Sequence, residues 1–172
     1  MVRKGATGWS TLTGAEWVWI IGPTTSPNPS TNCRASGSTV NGTSNARYAH
    51  ATINTDGTSV NGIILFPDGV DFAASEFTTL GTVNGASTWA TKCTSAQWTA
   101  LAAKGCVFLP AAGYRSGASV SKAGSTGYYW TSSSPSITNK AYLVYFYGGS
   151  LNTNSSESRS YGYSVRLVRA VE

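Results

Sequence analysis

The tightest constraint on this chain is a strand-like alternation set inside a polar tail. From residue 131 to residue 164, eighteen of thirty-four residues are Ser, Asn or Tyr. Such a tract stays disordered when it has too little apolar surface to bury. Here Tyr142, Val144 and Phe146 alternate with Leu143, Tyr145 and Tyr147, which is the period of a β-strand. The first set is expected to face a core. The second carries large amphipathic rings beside small polar groups, the palette of an antibody-like binding surface. A firm strand over residues 163–171 is expected to close the segment. Residues 127–169 therefore read as a rigid frame that holds up a polar, aromatic face.

The rest of the composition fits a folded, strand-rich domain. A chain of 172 residues is long enough for one domain with a real core and short for two. Charged residues make up 11%, against a usual level of about 25%. Gly, Ser, Thr and Asn fill the gap, as suits short strands joined by many turns. Six Trp, nine Tyr and five Phe supply material for a core. The net charge of +5 comes from scattered Lys and Arg. There is no basic run, and the rings are not interleaved with bases, so nucleic acid is not expected as a partner. Residues 1–8 read as a flexible start and 9–172 as a single domain. Residues 1–8 lack the apolar stretch of a secretory leader, and no apolar run reaches membrane-spanning length.

Two helices are legible from their caps. Thr13 and Glu16 form a capping-box pattern ahead of residues 17–21, and Gly22-Pro23 stops the run. Thr94 and Gln97 repeat the pattern ahead of a helix through Trp98 and Leu101 to Lys104, with Gly105 as its stop. Trp17, Trp19 and Trp98 are assigned to the core, as is Trp130 between sheet and loops. Strand patterns appear at residues 47–54, 62–67, 106–109, 128–132 and 141–147. Val-Asn-Gly occurs at 40–42, 60–62 and 83–85. Asn-Gly favours the type I′ hairpin turn, so at least two of the three are expected to be hairpin tips. The strands at 47–54 and 62–67 should join near Asp56-Gly57 or Asn61-Gly62. Together these elements give an α+β domain, two helices with a mainly antiparallel β-sheet.

Catalytic equipment is sparse. The lone histidine, His50, lies in an alternating strand and reads as a surface or hydrogen-bonded strand residue. Glu16 reads as a helix cap. Asp68 and Asp71 beside Gly69 fit a turn, and two carboxylates fall short of the roughly six to eight oxygens that calcium takes. The cysteines are Cys33, Cys93 and Cys106, an odd number without metal-ligand spacing. Cys106 opens an apolar run and reads as a small buried hydrophobe. Pairing of Cys33 with Cys93 stays open. No enzymatic activity, cofactor or metal site is expected.

Four blocks carry a family likeness: Trp9-Ser-Thr-Leu-Thr-Gly-Ala-Glu-Trp17, Val107-Phe-Leu-Pro-Ala-Ala-Gly-Tyr-Arg115, Gly127-Tyr-Tyr-Trp-Thr-Ser-Ser133 and Gly162-Tyr-Ser-Val-Arg-Leu-Val168. In order and content they resemble a bacterial surface and phage family with the C-type lectin-like fold. That family is abundant in gut Bacteroidetes, and several members are variable proteins of diversity-generating retroelements. The likeness covers roughly residues 9–170. It implies that an error-prone copying step rewrites adenine-rich codons, which would produce the Ser/Asn/Tyr surplus.

By that resemblance residues 127–169 are the variable, ligand-binding region. Leu143, Tyr145, Tyr147, Asn152, Asn154, Ser156, Ser158, Ser160, Tyr161 and Tyr163 match its displayed positions. Trp130, Tyr142, Val144, Phe146, Arg159, Gly162 and residues 165–168 match its fixed frame. The segment 150–160 is expected to be a loop. The implied partner is a protein or glycan on another cell or a phage host, and the implied location is a cell surface or phage particle. The sugar-binding calcium motifs of true C-type lectins are not seen in the sequence. The active-site cysteine pair of formylglycine-generating enzymes, which share the fold, is not recognisable either. Two alternatives carry different functions: a structural or adhesive surface module without diversification, and an enzyme of the formylglycine-generating type.

Overall fold

The computed structural model describes residues 8–22, 33, 34, 36–55, 57–72, 83–85, 88, 89 and 91–169. The flexible start expected at residues 1–8 falls almost wholly outside the described residues, as does most of the loop expected at 23–38. In chain order the elements are β1 (Trp9–Thr11), α1 (Gly14–Ile21), β2 (Ser38–Val40), β3 (Thr43–Ala46), β4 (Tyr48–Thr55), β5 (Thr58–Leu65) and β6 (Asp71–Phe72). Then come β7 (Thr91–Thr94), α2 (Ser95–Ala103), β8 (Val107–Pro110), β9 (Tyr114–Ser116), β10 (Ser119–Ser121) and β11 (Thr126–Trp130). The last are β12 (Lys140–Tyr147), β13 (Ser150–Ser158) and β14 (Leu167–Arg169).

Both helices begin where their caps predict. The Thr13 hydroxyl accepts from the Glu16 amide at 3.1 Å, and the Glu16 carboxylate accepts from the Thr13 amide at 2.7 Å. Thr94 and Gln97 repeat the exchange at 3.2 and 2.9 Å. Each such cap contributes about 1 kcal/mol. Gly105 follows α2 in the left-handed region, φ +91°, which favours glycine there. Trp17 and Ile21, four residues apart on α1, share the buried face. Trp19 lies on the opposite side and is 52% exposed, which corrects its assignment to the core.

The central sheet has the order β7-β4-β5-β8. Its β4–β5 hairpin runs in unbroken register from Tyr48↔Leu65 to Thr55↔Thr58. The chain therefore reverses between Thr55 and Thr58, and Asn61-Gly62 lies inside β5. Gly62 is needed there because a Cβ would strike the Leu109 carbonyl and the Phe108 ring of β8. Asn41-Gly42 is a hairpin tip, joining β2 and β3 with φ +48° and +77°. Asn84 also has positive φ, +55°, but it acts as a brace. Its amide oxygen accepts from the Arg47 amide at 2.7 Å and its nitrogen donates to the Asn45 carbonyl at 2.8 Å. The expectation of two hairpin tips is thus corrected to one among the described residues, because the Asn-Gly signal is local and the other two pairs serve packing and bracing.

Both faces of the central sheet are buried. On one, Ala49, Ala51, Ile53 and Ile64 pack with Leu101 of α2, Val40 of β2 and Phe72 of β6. On the other, Ile63, Leu65 and Leu109 meet Trp17 and Ile21 of α1, together with Tyr129, Val144, Phe146 and Leu151. Those last four come from a three-stranded antiparallel sheet, β11-β12-β13. Each large apolar side chain so enclosed contributes roughly 1.5–3 kcal/mol. Two buried arginines tie α1 to the sheet. Arg47 donates to the Ile21 carbonyl at 2.8 Å. Arg34 donates to the Ile20 and Phe66 carbonyls, both at 2.8 Å, and pairs with Asp68 at 2.5 Å.

β1 pairs antiparallel with β14, and Arg169 lies over the Trp9 ring at 5.5 Å. Among the described residues, the strand expected over 163–171 is regular only in β14. Val165 and Leu167 are each 52% exposed, which corrects their assignment to the frame. The domain is α+β, with two helices and sheets that are antiparallel apart from the β2–β6 and β4–β7 pairs. Among the described residues no helix is long and apolar enough to cross a membrane.

Candidate binding face

The three-stranded sheet presents one face inward and one outward, and register decides which residue goes where. Inward, Gly127 lies opposite Phe146, and Phe146 opposite Leu151. A Cβ on Gly127 would strike the Phe146 ring, so glycine lets that ring lie flat across β11. Tyr129 also faces inward and donates to the Pro110 carbonyl at 2.8 Å. Burial pushes its hydroxyl up to about 12, with Arg166 partly opposing the shift. Outward, the cross-strand rows are Thr126, Tyr147 and Ser150; then Tyr128, Tyr145 and Asn152; then Trp130, Leu143 and Ser155.

A strap of backbone adds two more rings to this outer face. Ser164 donates to the Tyr128 carbonyl at 3.0 Å and accepts from the Trp130 amide at 2.9 Å. Gly162 exchanges a pair of hydrogen bonds with Arg115 of β9, at 2.8 and 2.9 Å. Tyr161 and Tyr163 are thereby held against the sheet. Tyr163 lies 4.4 Å from Trp130 and 4.9 Å from Tyr128, ring centre to ring centre. It also meets Tyr161 at 5.6 Å and Tyr114 at 5.8 Å. Tyr128 continues to Tyr145 at 6.0 Å, and Tyr145 to Tyr147 at 6.4 Å. Seven rings thus form one connected platform: Tyr114, Tyr128, Trp130, Tyr145, Tyr147, Tyr161 and Tyr163.

Burial raises the hydroxyl pKa of Tyr163, and the nearby Glu157 carboxylate adds to the shift. Tyr128 is raised by burial first, then by Tyr114, Tyr145 and Glu157, with a hydrogen bond to Thr126 opposing. Both hydroxyls are therefore protonated at neutral pH and able to donate as well as accept.

The ten displayed positions expected from the sequence divide. Tyr145, Tyr147, Tyr161, Tyr163 and Asn152 belong to the platform or its border. Tyr147 is exposed, at 47%, and Tyr145, Tyr161 and Tyr163 are half-buried. Leu143 is fully buried and cannot meet a ligand, which corrects its outward assignment. It shares the outer face but sits in register beside Trp130, where the sheet is covered.

Residues 150–158 form β13, not a loop. A bulge breaks the register of β13 with β12 between Leu143 and Tyr145. Thr153 and Asn154 of β13 there lie opposite the single Val144 of β12, so side chains beyond the bulge change faces. Asn152 remains on the tyrosine face, whereas Ser156 and Ser158 pair with Tyr142 and Lys140 on the opposite one. Asn154 lies at the bulge and lines a groove of about 690 Å³ with Gly14, Ala15, Val18, Trp19, Ser133 and Tyr142. Ser160 is exposed, its hydroxyl 2.9 Å from that of Ser158.

Sequence reasoning missed Tyr114, Tyr128 and Glu157 and placed Trp130 in the core. The Tyr128-Tyr129-Trp130 alternation was the available signal, but only pairing with β12 shows which ring faces out.

His50 is sealed in the layer between the two larger sheets, on the Ile63 side of β4. Its ring is edge-on to Trp89 at 5.5 Å and to Tyr48 at 6.1 Å. Burial lowers its pKa. Backbone groups of Ser150, Gly85 and Tyr147 approach closely enough to oppose that shift. None of them makes a well-formed hydrogen bond to either ring nitrogen. The surface placement expected for His50 is corrected accordingly. Cys33, Cys93 and Cys106 are buried free thiols, which settles the pairing left open for Cys33 and Cys93. Among the described residues no three of His, Cys, Asp and Glu gather as a metal site would need.

An α+β domain with an aromatic sheet face is the class that this geometry defines. Residues 73–168, more than half of the chain, match the family described as a domain of unknown function, DUF8237, and the chain belongs to that family. No curated protein and no solved structure matches it.

Proposed function

We propose that this domain is a non-enzymatic ligand-binding module whose binding surface is the tyrosine platform on the outer face of β11–β13. The observation that carries this is the connected set of seven rings held over a fixed core. Tyr gives large contact area at low side-chain entropy cost, and Asn152, Ser150 and Ser155 add adaptable hydrogen bonds beside it. Because the frame positions the rings before any ligand arrives, little ordering remains to oppose binding. The fold is a C-type lectin-like one, and retroelement diversification has varied the displayed positions. The ligand is a protein or glycan on another cell or a phage host, met from a cell surface or phage particle.

Two experiments test this. A near-identical template repeat of the segment encoding residues 127–169, next to a reverse-transcriptase gene, would support diversification. Without one, the domain is an adhesive or structural module. For binding, a panel of glycans and bacterial surface proteins is screened with the wild type and with Tyr145→Ser/Tyr147→Ser. Hits that survive the double substitution unchanged refute the platform as the site.

A further inference from the structure

We infer that the platform receives an arginine side chain of a partner protein, the guanidinium lying on the tyrosine rings and paired with Glu157. This deepens the proposal above and rests on it. The first observation is placement. Glu157 pairs with Ala141, and Ala141, Leu143, Tyr145 and Tyr147 alternate on one face of β12. Glu157 therefore stands on the ring-bearing face, at the Trp130–Tyr163 end. It is exposed and has no ion-pair partner among the described residues, where the ion pair present is Arg34–Asp68.

The second observation is what does not neutralise it. Arg159 is turned away, donating to the Lys140 carbonyl at 2.8 Å and to the Ser134 hydroxyl. Arg115 bends back to the Gly117 carbonyl at 2.8 Å. Glu157 also adds to the upward shift of the Tyr128 and Tyr163 hydroxyls. On a chain of net charge +5, this face offers an unpaired acid and electron-rich rings together.

Ring faces and a carboxylate both attract organic cations. Arginine fits better than lysine, because its planar fork stacks on a ring while bonding a carboxylate with two parallel N–H groups. The face is long and open. From Tyr147 to the row of Glu157 it runs six residues of strand, roughly 20 Å. That suits a protein surface or an extended segment more than a small molecule, which is held in a concave site.

The probe is a synthetic peptide of alternating Gly and Arg, set against the same peptide with citrulline, which keeps the planar shape and loses the charge. Binding is followed by NMR on the intact chain, together with a maltohexaose titration. The Arg peptide should move resonances of Tyr128, Tyr163 and Glu157, with the citrulline twin about tenfold weaker. Glu157→Gln should weaken the Arg peptide about three- to tenfold with no change in melting temperature. Equal binding of the citrulline twin, shifts mapping away from the platform, or indifference to Glu157→Gln would each overturn the inference. If maltohexaose moves the ring resonances and the Arg peptide does not, the arginine inference falls and the binding-face proposal stands. Silence toward both overturns the inference and counts against that proposal as well.

Discussion

Replacing Tyr163 with Ala separates cement from display within the tyrosine platform. Tyr163 meets four rings, with centroid distances of 4.4 Å to Trp130, 4.9 Å to Tyr128, 5.6 Å to Tyr161 and 5.8 Å to Tyr114. Aromatic pairs contribute about 0.5–1.5 kcal/mol each beyond area burial. These four share one ring, so their losses do not add in full, and an overall cost of about 2–3 kcal/mol is expected. For a domain of this size that lowers Tm by roughly 5–10 °C. Tyr147 is 47% exposed and meets Tyr145 at 6.4 Å, so Tyr147→Ala should cost under about 1 kcal/mol. The assay is urea unfolding followed by tryptophan fluorescence. Native emission of the Tyr163→Ala variant should also shift to the red, since Trp130 loses its cover. Tyr163→Phe keeps the ring and should stay within about 0.5 kcal/mol of wild type. The reasoning is refuted if Tyr163→Ala costs less than about 0.5 kcal/mol, or if Tyr147→Ala costs as much.

Three further outcomes follow from the same geometry. Gly127→Ala should drive the buried Phe146 ring off β11 and cost about 1–3 kcal/mol, whereas Gly149→Ala, whose nearest neighbour would be 4.0 Å away, should be close to neutral in a thermal melt. His50 has a folded pKa depressed below 6.5 by burial, so its neutral form is favoured in the fold. Its contribution is present above pH 6.5 and lost as pH falls through the folded value. Urea midpoints should therefore decline from about pH 7.5 to pH 5, and His50→Phe should flatten that slope. Arg34→Met strips donors from the Ile20 and Phe66 carbonyls and should cost about 2–4 kcal/mol by denaturant titration. Asp68→Asn removes only a partner that is 52% exposed and should cost about 1 kcal/mol or less.

Legibility tracked how local each signal was. The capping boxes at Thr13 and Thr94 act within four residues, and both helices begin where the sequence puts them. The alternation at Val144 and Phe146 likewise reports the inward face directly. β13 was illegible because its Ser and Asn residues have weak strand preference and only Leu151 and Thr153 point into the core. Its pairing with β12 makes it a strand. Leu143 was misplaced because alternation gives the face of a residue without saying what else covers that face.

By itself the sequence determined an α+β domain with two capped helices, an inward apolar row on β12 and a tail rich in rings and small polar groups. Periods and caps are written in neighbouring residues, so they survive without knowledge of the rest of the chain. Only the tertiary structure decided that a bulge in β13 sends Ser156 and Ser158 to the other face. It also brought Tyr114, Tyr128 and Trp130 to the tyrosines of the tail and set Tyr163 at their centre. Those outcomes depend on pairings between segments far apart in the chain, and no local pattern encodes a register.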